Sequence, residues 1–248
     1  SHDLIFGLPF QTVGNIIDTV RKTIELKPER ISFYSYAHVP WVKGIGQRGF
    51  DDDDIPKNDF KRKLYEMGKH MLSNFGYIET GMDHFSLPSD TLYKAFESAN
   101  LHRNFMGYTT NSTQLMIGLG MSAISDSWYS FAQNEKSLKE YQELIEKGQL
   151  PIVKGHLLSD EDLIIRRHIL NIMCHFETSW KKDKLKFKDL PQTLERLKEL
   201  EKDGLVMITK NKLFVPKVAR AFVRNICMAF DLRLVRNKPN TQLFSMTV

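Results

Sequence analysis

A short apolar run, Leu4-Ile5-Phe6, is closed by Gly7 and Pro9. An amphipathic repeat follows at once: Val13, Ile16, Ile17, Val20 and Ile24. Pro28 ends that repeat, and residues 30–34 are strand-like again. Strand, helix and strand within about 30 residues make a βαβ unit. The strands of such a unit are parallel, with a right-handed crossover. Parallel strands are covered on both faces, and an all-apolar run suits that burial. The chain is thus committed to an α/β fold from its first residues. Thr12 has the chemistry and the position of a helix N-cap. Ligands of open α/β sheets sit beyond the carboxyl ends of the strands. That rule singles out Gly7-Leu8-Pro9 and Tyr36-Ala37-His38.

Further along, Phe60, Leu64, Met67, Met71 and Phe75 mark a long amphipathic helix that Gly76 ends. Residues 77–80 read as a strand, and Asp90 caps a short helix toward Ala99. Residues 115–121 are apolar and read as a buried strand. Gly107, Gly118 and Gly120 do not form a dinucleotide fingerprint, because no G-x-G-x-x-G opens a helix. They suit places where another backbone or a ligand comes close. A polar helix spans 137–147, and 148–158 reads as a linker. Ser159 and Asp162 have the spacing of a capping box. A helix follows through Leu163, Ile169, Leu170 and Met173. A second carries Leu194, Leu197 and Leu200 and stops at Asp203-Gly204. Residues 205–209 and 212–215 flank Lys210-Asn211 as a hairpin, and a last helix covers 218–230. Helix, helix, hairpin, helix is the order of a winged helix. The expected division is 1–148 and 149–248.

Composition narrows the class. Hydrophobic residues at 42% and charged residues at 26% are ordinary for a globular protein. No apolar run reaches the roughly 18 residues of a membrane span. Two cysteines cannot make a disulfide framework, and no secretory signal pattern is present, so a cytoplasmic location is expected. The net charge of +5 is mild. Lys181, Lys182, Lys184, Lys186 and Lys188, beside a winged-helix order, raise the possibility of a DNA-binding regulator. Asp183, Asp189 and Glu195 flank them, and Glu199 and Glu201 follow on the helix. Phosphates would repel that acid, so a solvated face without nucleic acid is the favoured reading.

Among candidate chemical groups, the Asp51–Asp54 run suits helix capping or solvation better than a cation. The eight histidines show no convincing metal spacing. His168 and His175 share a helix face beside Cys174, and ordinary packing is the favoured reading. Cys227 reads as a buried thiol. Asp83 and His84 can act together only if a turn lies between them. His102 and Arg103 stand between apolar Leu101 and Phe105. The planar fork of arginine binds carboxylates bidentately, so this pair could face a polyanionic substrate, or it is a surface loop with a salt bridge. Asp3 can hold amino or hydroxyl groups of a cofactor, or is simply solvated.

Five blocks occur in order: Asp3-Leu-Ile-Phe-Gly-Leu-Pro9, Ser35-Tyr-Ala-His-Val-Pro40, Gly81-Met-Asp-His-Phe85, Leu101-His-Arg-Asn-Phe-Met-Gly-Tyr-Thr-Thr110 and Arg224-Asn-Ile-Cys-Met-Ala-Phe-Asp231. With Gln242-Leu-Phe-Ser245 near the end, this series resembles the oxygen-independent coproporphyrinogen III oxidases. These are radical S-adenosylmethionine enzymes of haem synthesis. The resemblance implies the last strands of a partial (β/α)6 barrel followed by a mainly helical, winged-helix-like domain. It also implies the family's reaction, the oxidative decarboxylation of two propionates of coproporphyrinogen III to vinyls, giving protoporphyrinogen IX. The implied cofactors are one [4Fe–4S] cluster and two S-adenosylmethionines. Matching positions that would contact these cofactors are Asp3, Ala37 and Ile124, with Phe105 close by. Arg103 and Arg224 are candidates for holding propionates. Met106 departs from the family, which typically has Gln there, and a thioether cannot replace the amide's hydrogen bonds. The resemblance does not specify the electron donor. A sister family of haem chaperones shares the architecture but differs at three of the blocks, and a radical-SAM-like haem chaperone is the nearest alternative reading.

The family's C-x-x-x-C-x-x-C run does not occur in this sequence. The chain is therefore expected to be the back part of such an enzyme and inactive alone, with self-association through a strand edge cut open near residues 3–6, or a disordered N-terminus. A cubane cluster needs three converging thiolates, and two cysteines cannot supply them. Reconstitution with iron and sulfide is expected to leave this chain without stoichiometric cluster. Iron and labile sulfide analysis checks this, and one bound cluster per chain would reject it.

Overall fold

In the computed structural model, β1 (His2–Phe6) pairs in parallel with β2 (Arg30–Ser35), with Asp3 opposite Ser32 and Phe6 opposite Ser35. The crossover is α1 (Val13–Glu25). Thr12 caps it in a full capping box, in which Thr12 Oγ1 accepts from Asn15 N and Asn15 Oδ1 accepts from Thr12 N. Ile16 and Val20 are fully buried, as the helical repeat requires. The description covers residues 1–41, 47 and 49–237. The Gln242–Ser245 block lies outside it.

Next come α2 (Asn58–Asn74), the hairpin of β3 (Ile78–Gly81) and β4 (His84–Ser86), and α3 (Thr91–Glu97). The sheet order is β1-β2-β4-β3, with β4 antiparallel to both neighbours. Phe6, Phe33 and Tyr65 form its aromatic core, with ring centroids 4.9, 5.3 and 6.0 Å apart. Asp90 caps α3 as expected, accepting from Leu92 N. It also receives a two-bond fork from Arg30 at 2.9 and 2.7 Å. The Asp51–Asp54 run forms a short 3-10 turn (Asp52–Asp54) closed by Asp54 on Asp51 N, in keeping with a capping role.

β5 (His102–Asn104) and β6 (Gly107–Thr109) make a tight hairpin. A meander follows: β7 (Leu115–Met116), β8 (Ile124–Ser127), β9 (Ser130–Asn134) and, after α4 (Leu138–Glu146), β10 (Ile152–Leu157). Its order is β10-β9-β8-β7, with every pair antiparallel. Then come α5 (Asp160–His175), β11 (Glu177–Ser179), α6 (Leu190–Arg196), α7 (Lys198–Lys202), β12 (Met207–Ile208), β13 (Lys212–Phe214), α8 (Val223–Phe230) and α9 (Leu232–Arg236). The β11-β13-β12 sheet supplies the wing of the winged-helix order. No described helix is long and apolar enough to cross a membrane.

Five expectations need correction. Ile5 is 45% exposed, so β1 is not buried on both faces; it is the end strand of its sheet. Residues 115–121 are not a buried strand. Only Leu115–Met116 pairs, and Ile117 and Leu119 are exposed, because β7 is likewise an end strand. Gly118 does mark a close approach: a Cβ there would lie 2.7 Å from the Ile124 carbonyl oxygen. Residues 148–158 are no linker, since 152–157 pairs with β9. Two compact units are Ser1–Glu97 and Ser98–Val235, and β10 lies in the second. The helix expected around Leu194–Leu200 is two short ones meeting at Leu197, which is fully buried. The last helix begins as a 3-10 segment over Lys217–Phe222 and becomes α-helical at Val223.

Gly68 faces Phe33 from within α2, and a Cβ there would sit 2.5 Å from the ring. Alanine would gain about 1 kcal/mol of helix propensity. Forcing a methyl into a packed aromatic core typically costs about 1–3 kcal/mol. Gly68→Ala is therefore expected to destabilise the chain. A chemical-denaturation midpoint that is unchanged or raised would show that Phe33 moves aside without cost.

Candidate functional site

In the first unit, the carboxyl ends of β1 and β2 are held by two glutamines. Gln11 Oε1 accepts from Gly7 N at 2.6 Å and from Leu8 N at 3.3 Å. Gln47 Nε2 donates to the Ala37 carbonyl at 2.9 Å, and its Oε1 accepts from Val39 N at 2.8 Å. Between them, His38 Nε2 lies 3.0 Å from Asp52 Oδ1, and the rings of Tyr36, His38 and Phe50 cluster. Buried His38 Nδ1 has no partner among the described residues. Asp3 and Ala37 are both exposed. Asp3 lies near the amino end of β1 and Ala37 beyond the carboxyl end of β2, so they stand at opposite ends of the parallel pair.

Asp83 and His84 do have a turn between them, with Asp83 at φ 62°. His84 Nδ1 donates to the Met82 carbonyl at 2.8 Å, which leaves Nε2 facing the Tyr34 hydroxyl at 3.4 Å. This ring is built into the sheet. His168 is equally structural. Its Nε2 donates to the Leu185 carbonyl at 2.8 Å, its Nδ1 accepts from the Thr178 hydroxyl at 2.7 Å, and burial lowers its pKa. Of the lysine cluster, Lys186 pairs with Asp183, and nearby Lys198 and Lys212 pair with Glu195 and Glu177.

The second unit holds a groove of about 540 Å³. Its floor is apolar: Ile165, Ile169 and Met173 recur at every fourth position of α5, and Cys227 and Met228 come from α8. Burial pushes the Cys174 and Cys227 thiols up to about 12, so both are inert neutral groups. Four arginines line the groove: Arg103, Arg166, Arg224 and Arg233. Two of them are already engaged. Arg166 Nη2 donates to Asp126 at 2.7 Å, and Arg233 grips Asp162 with two bonds of 2.8 and 2.7 Å. Arg103 stacks 4.6 Å from the Tyr108 ring centroid, with a buried Nη1 that has no partner among the described residues. Arg224 is exposed on α8. The arginines with free donors are thus the two singled out from the sequence.

Phe105 lines the same groove from the two-residue turn of the β5–β6 hairpin. Asn104 Oδ1 accepts from Met106 N and holds that turn, and Gly107 at φ 126° closes it. Met106 projects beside it, 82% exposed. Ile124 is not part of the lining; it serves β8 and packs its backbone against Gly118. Sequence reasoning missed Asp126, Arg166 and Arg233. Asp162 was identified only as a capping residue, which it is. The carboxylate also lies 3.6 Å from His156 Nε2, too long for a hydrogen bond.

The Arg233 fork, followed by the Ser159 amide and hydroxyl, holds the Asp162 carboxyl well below the usual carboxylate range. A lowered folded pKa stabilises the fold above the unfolded value of about 4 and is lost as pH falls through the folded one. Asp162→Ala is expected to cost about 1–2 kcal/mol at neutral pH through the lost cap and ion pair. That deficit should narrow below about pH 4. Parallel denaturant titrations of both proteins from neutral to strongly acidic pH measure it, and a pH-independent deficit would contradict the assignment.

No protein-family model matches the chain. Individual relatives do. An oxygen-independent coproporphyrinogen III oxidase of Synechocystis is 37% identical over 255 residues, covering 99% of this chain and 54% of the relative. The Escherichia coli oxidase of the same name is 37% identical with the same coverage. A solved structure of the Escherichia coli coproporphyrinogen III oxidase, described as a radical SAM enzyme, superposes with a TM-score of 0.86. It shares 36% identity over 94% of this chain and 54% of that one. The chain spans about half the length of the curated relatives it matches. By sequence and by fold, this chain is similar over nearly its whole length to about half of an oxygen-independent coproporphyrinogen III oxidase.

Proposed function

We propose that this chain is the substrate-holding part of a coproporphyrinogen III oxidase, with the groove of the second unit taking the tetrapyrrole. The observation that carries the reading is the pairing of an apolar floor with two arginines whose donors are uncommitted. A porphyrinogen has that chemistry, an apolar macrocycle fringed by propionates. Arg103 and Arg224 would each hold a propionate through charge-assisted hydrogen bonds. Ile165, Ile169 and Met173 would exclude water from the ring. In the complete protein two propionates would be converted to vinyls, and hydrogen abstraction would be the chemistry supplied by S-adenosylmethionine.

Asp3 and Ala37 in the first unit, and Phe105 and Ile124 in the second, are proposed contacts of two S-adenosylmethionine molecules. An exposed carboxylate at Asp3 suits an amino or hydroxyl donor. Exposed Met106 offers only a weak acceptor where an amide would donate. The iron–sulfur cluster does not fit the residues described here. Both thiols are buried and neutral, and no group of three His, Cys, Asp or Glu converges among the described residues. No step is assigned through it. One side of β1 is unpaired among the described residues, which supports self-association through that strand.

Coproporphyrin III, the oxidised and coloured form of the substrate, is expected to bind this chain saturably. Arg103→Gln and Arg224→Gln are each expected to weaken binding about tenfold, the worth of one charge-assisted contact. The tetramethyl ester, which lacks carboxylates, should bind still less. Equal affinity of ester and acid, or no effect of either substitution, would remove the groove from consideration.

A further inference from the structure

A second concavity in the same unit has different chemistry. Arg167, Asn171 and His175 succeed one another at every fourth position of α5 and so share a face. They form one wall of a half-open cavity of about 210 Å³, and His102, Ser112 and Trp128 contribute to the rest. This volume is far too small for a tetrapyrrole but suits a small anion. Among the described residues, Arg167 and the rings of His102 and His175 make no side-chain hydrogen bond or ion pair. Arg167 does lie 5.8 Å from the Trp128 ring centroid. Three potential cation donors thus line one small space without a partner.

The surrounding charges leave that space positive. Asp126 acts on His102 but is engaged by Arg166 at 2.7 Å. Glu177 acts on His175 but is engaged by Lys212 at 2.7 Å. Burial, then Arg166 and His175, lowers the His102 pKa, and burial lowers that of His175. An arriving anion reverses these pressures, because an opposite charge favours the imidazolium. His175 also lies in the last turn of α5, where the helix dipole favours a cation.

We propose that this cavity is a binding site for a small oxyanion, a carboxylate or a tetrahedral phosphate-like group, held by the Arg167 fork, the Asn171 amide and the His102 and His175 imidazoles. Arg167 supplies the fixed charge. The two histidines take up protons as the ligand binds, so affinity rises as pH falls. The site is independent of the groove reading, since Arg103 and Arg224 take no part in it.

The test titrates sodium sulfate, and separately sodium acetate, into the 248-residue chain while following the histidine ring signals by NMR. Sulfate keeps its charge between pH 6 and pH 8, so any pH dependence reports the protein. The expected result is a saturable shift of the His102 and His175 signals with one common affinity. That affinity should fall about tenfold from pH 6 to pH 8, and about tenfold in Arg167→Gln. Arg167 is exposed, so that variant is expected to fold. Tighter binding of sulfate assigns a tetrahedral ligand, and tighter binding of acetate a carboxylate. No saturable shift with either anion, or equal shifts in Arg167→Gln, overturns the proposal.

Discussion

The guanidinium of Arg166 ties the second unit together. It donates to the buried Asp126 carboxylate and to the carbonyls of Ser127 and Trp128, at 2.7, 3.0 and 3.4 Å. The Trp128 and Phe131 ring centroids lie 4.9 and 5.0 Å away. One side chain of α5 thereby meets an ionic partner, two backbone acceptors and two π faces, all on the β8–β9 hairpin. Breaking such a buried pair leaves an uncompensated charge, a loss of about 3–5 kcal/mol. The groove lies along this junction, and the small cavity borders it at Trp128. Both concavities therefore depend on that one docking contact.

Within the groove, the distribution of partners separates structure from function. Arg166 and Arg233 are committed to carboxylates and shape the walls. Arg103 is oriented by stacking on Tyr108, whose hydroxyl donates to the Met173 carbonyl at 3.0 Å. It is thus positioned through its face while its donors remain available. This suits an arginine that must receive a carboxylate, because little side-chain entropy is left to lose on binding. The first unit uses a different device. Gln11 and Gln47 tie down backbone groups at the carboxyl edge of the parallel pair, where a ligand of an α/β sheet approaches.

Much of the local structure was legible from the residues. The N-cap at Thr12 and the capping box of Ser159 and Asp162 follow from side chains placed at the helix starts. The helical repeats of α1 and α2 placed Ile16, Val20 and Leu64 in the core, whereas Phe60 and Phe75 at the two ends of the α2 repeat are exposed. The close approach at Gly118 was visible as a glycine in an apolar run. The misreadings share one cause. An apolar run such as 115–121 implies burial only if something covers it, and a mixed segment such as 152–157 forms a strand only if an edge accepts it. Both conditions depend on distant neighbours that hydrophobic pattern does not encode.

By itself, the sequence determined the βαβ start, the helix caps, the hairpins and the likeness to the oxidases, because those signals reside in neighbouring residues or in long ordered blocks. Only the tertiary structure decided which arginines are free. Asp126 reaches Arg166 across 40 positions and Asp162 reaches Arg233 across 71, and no local spacing announces either pair. Those two ion pairs consume two of the groove's four guanidinium groups and leave Arg103 and Arg224 as its open cations. The same holds for His102 and Arg167, which lie far apart in the chain yet border one cavity because β5 packs against α5.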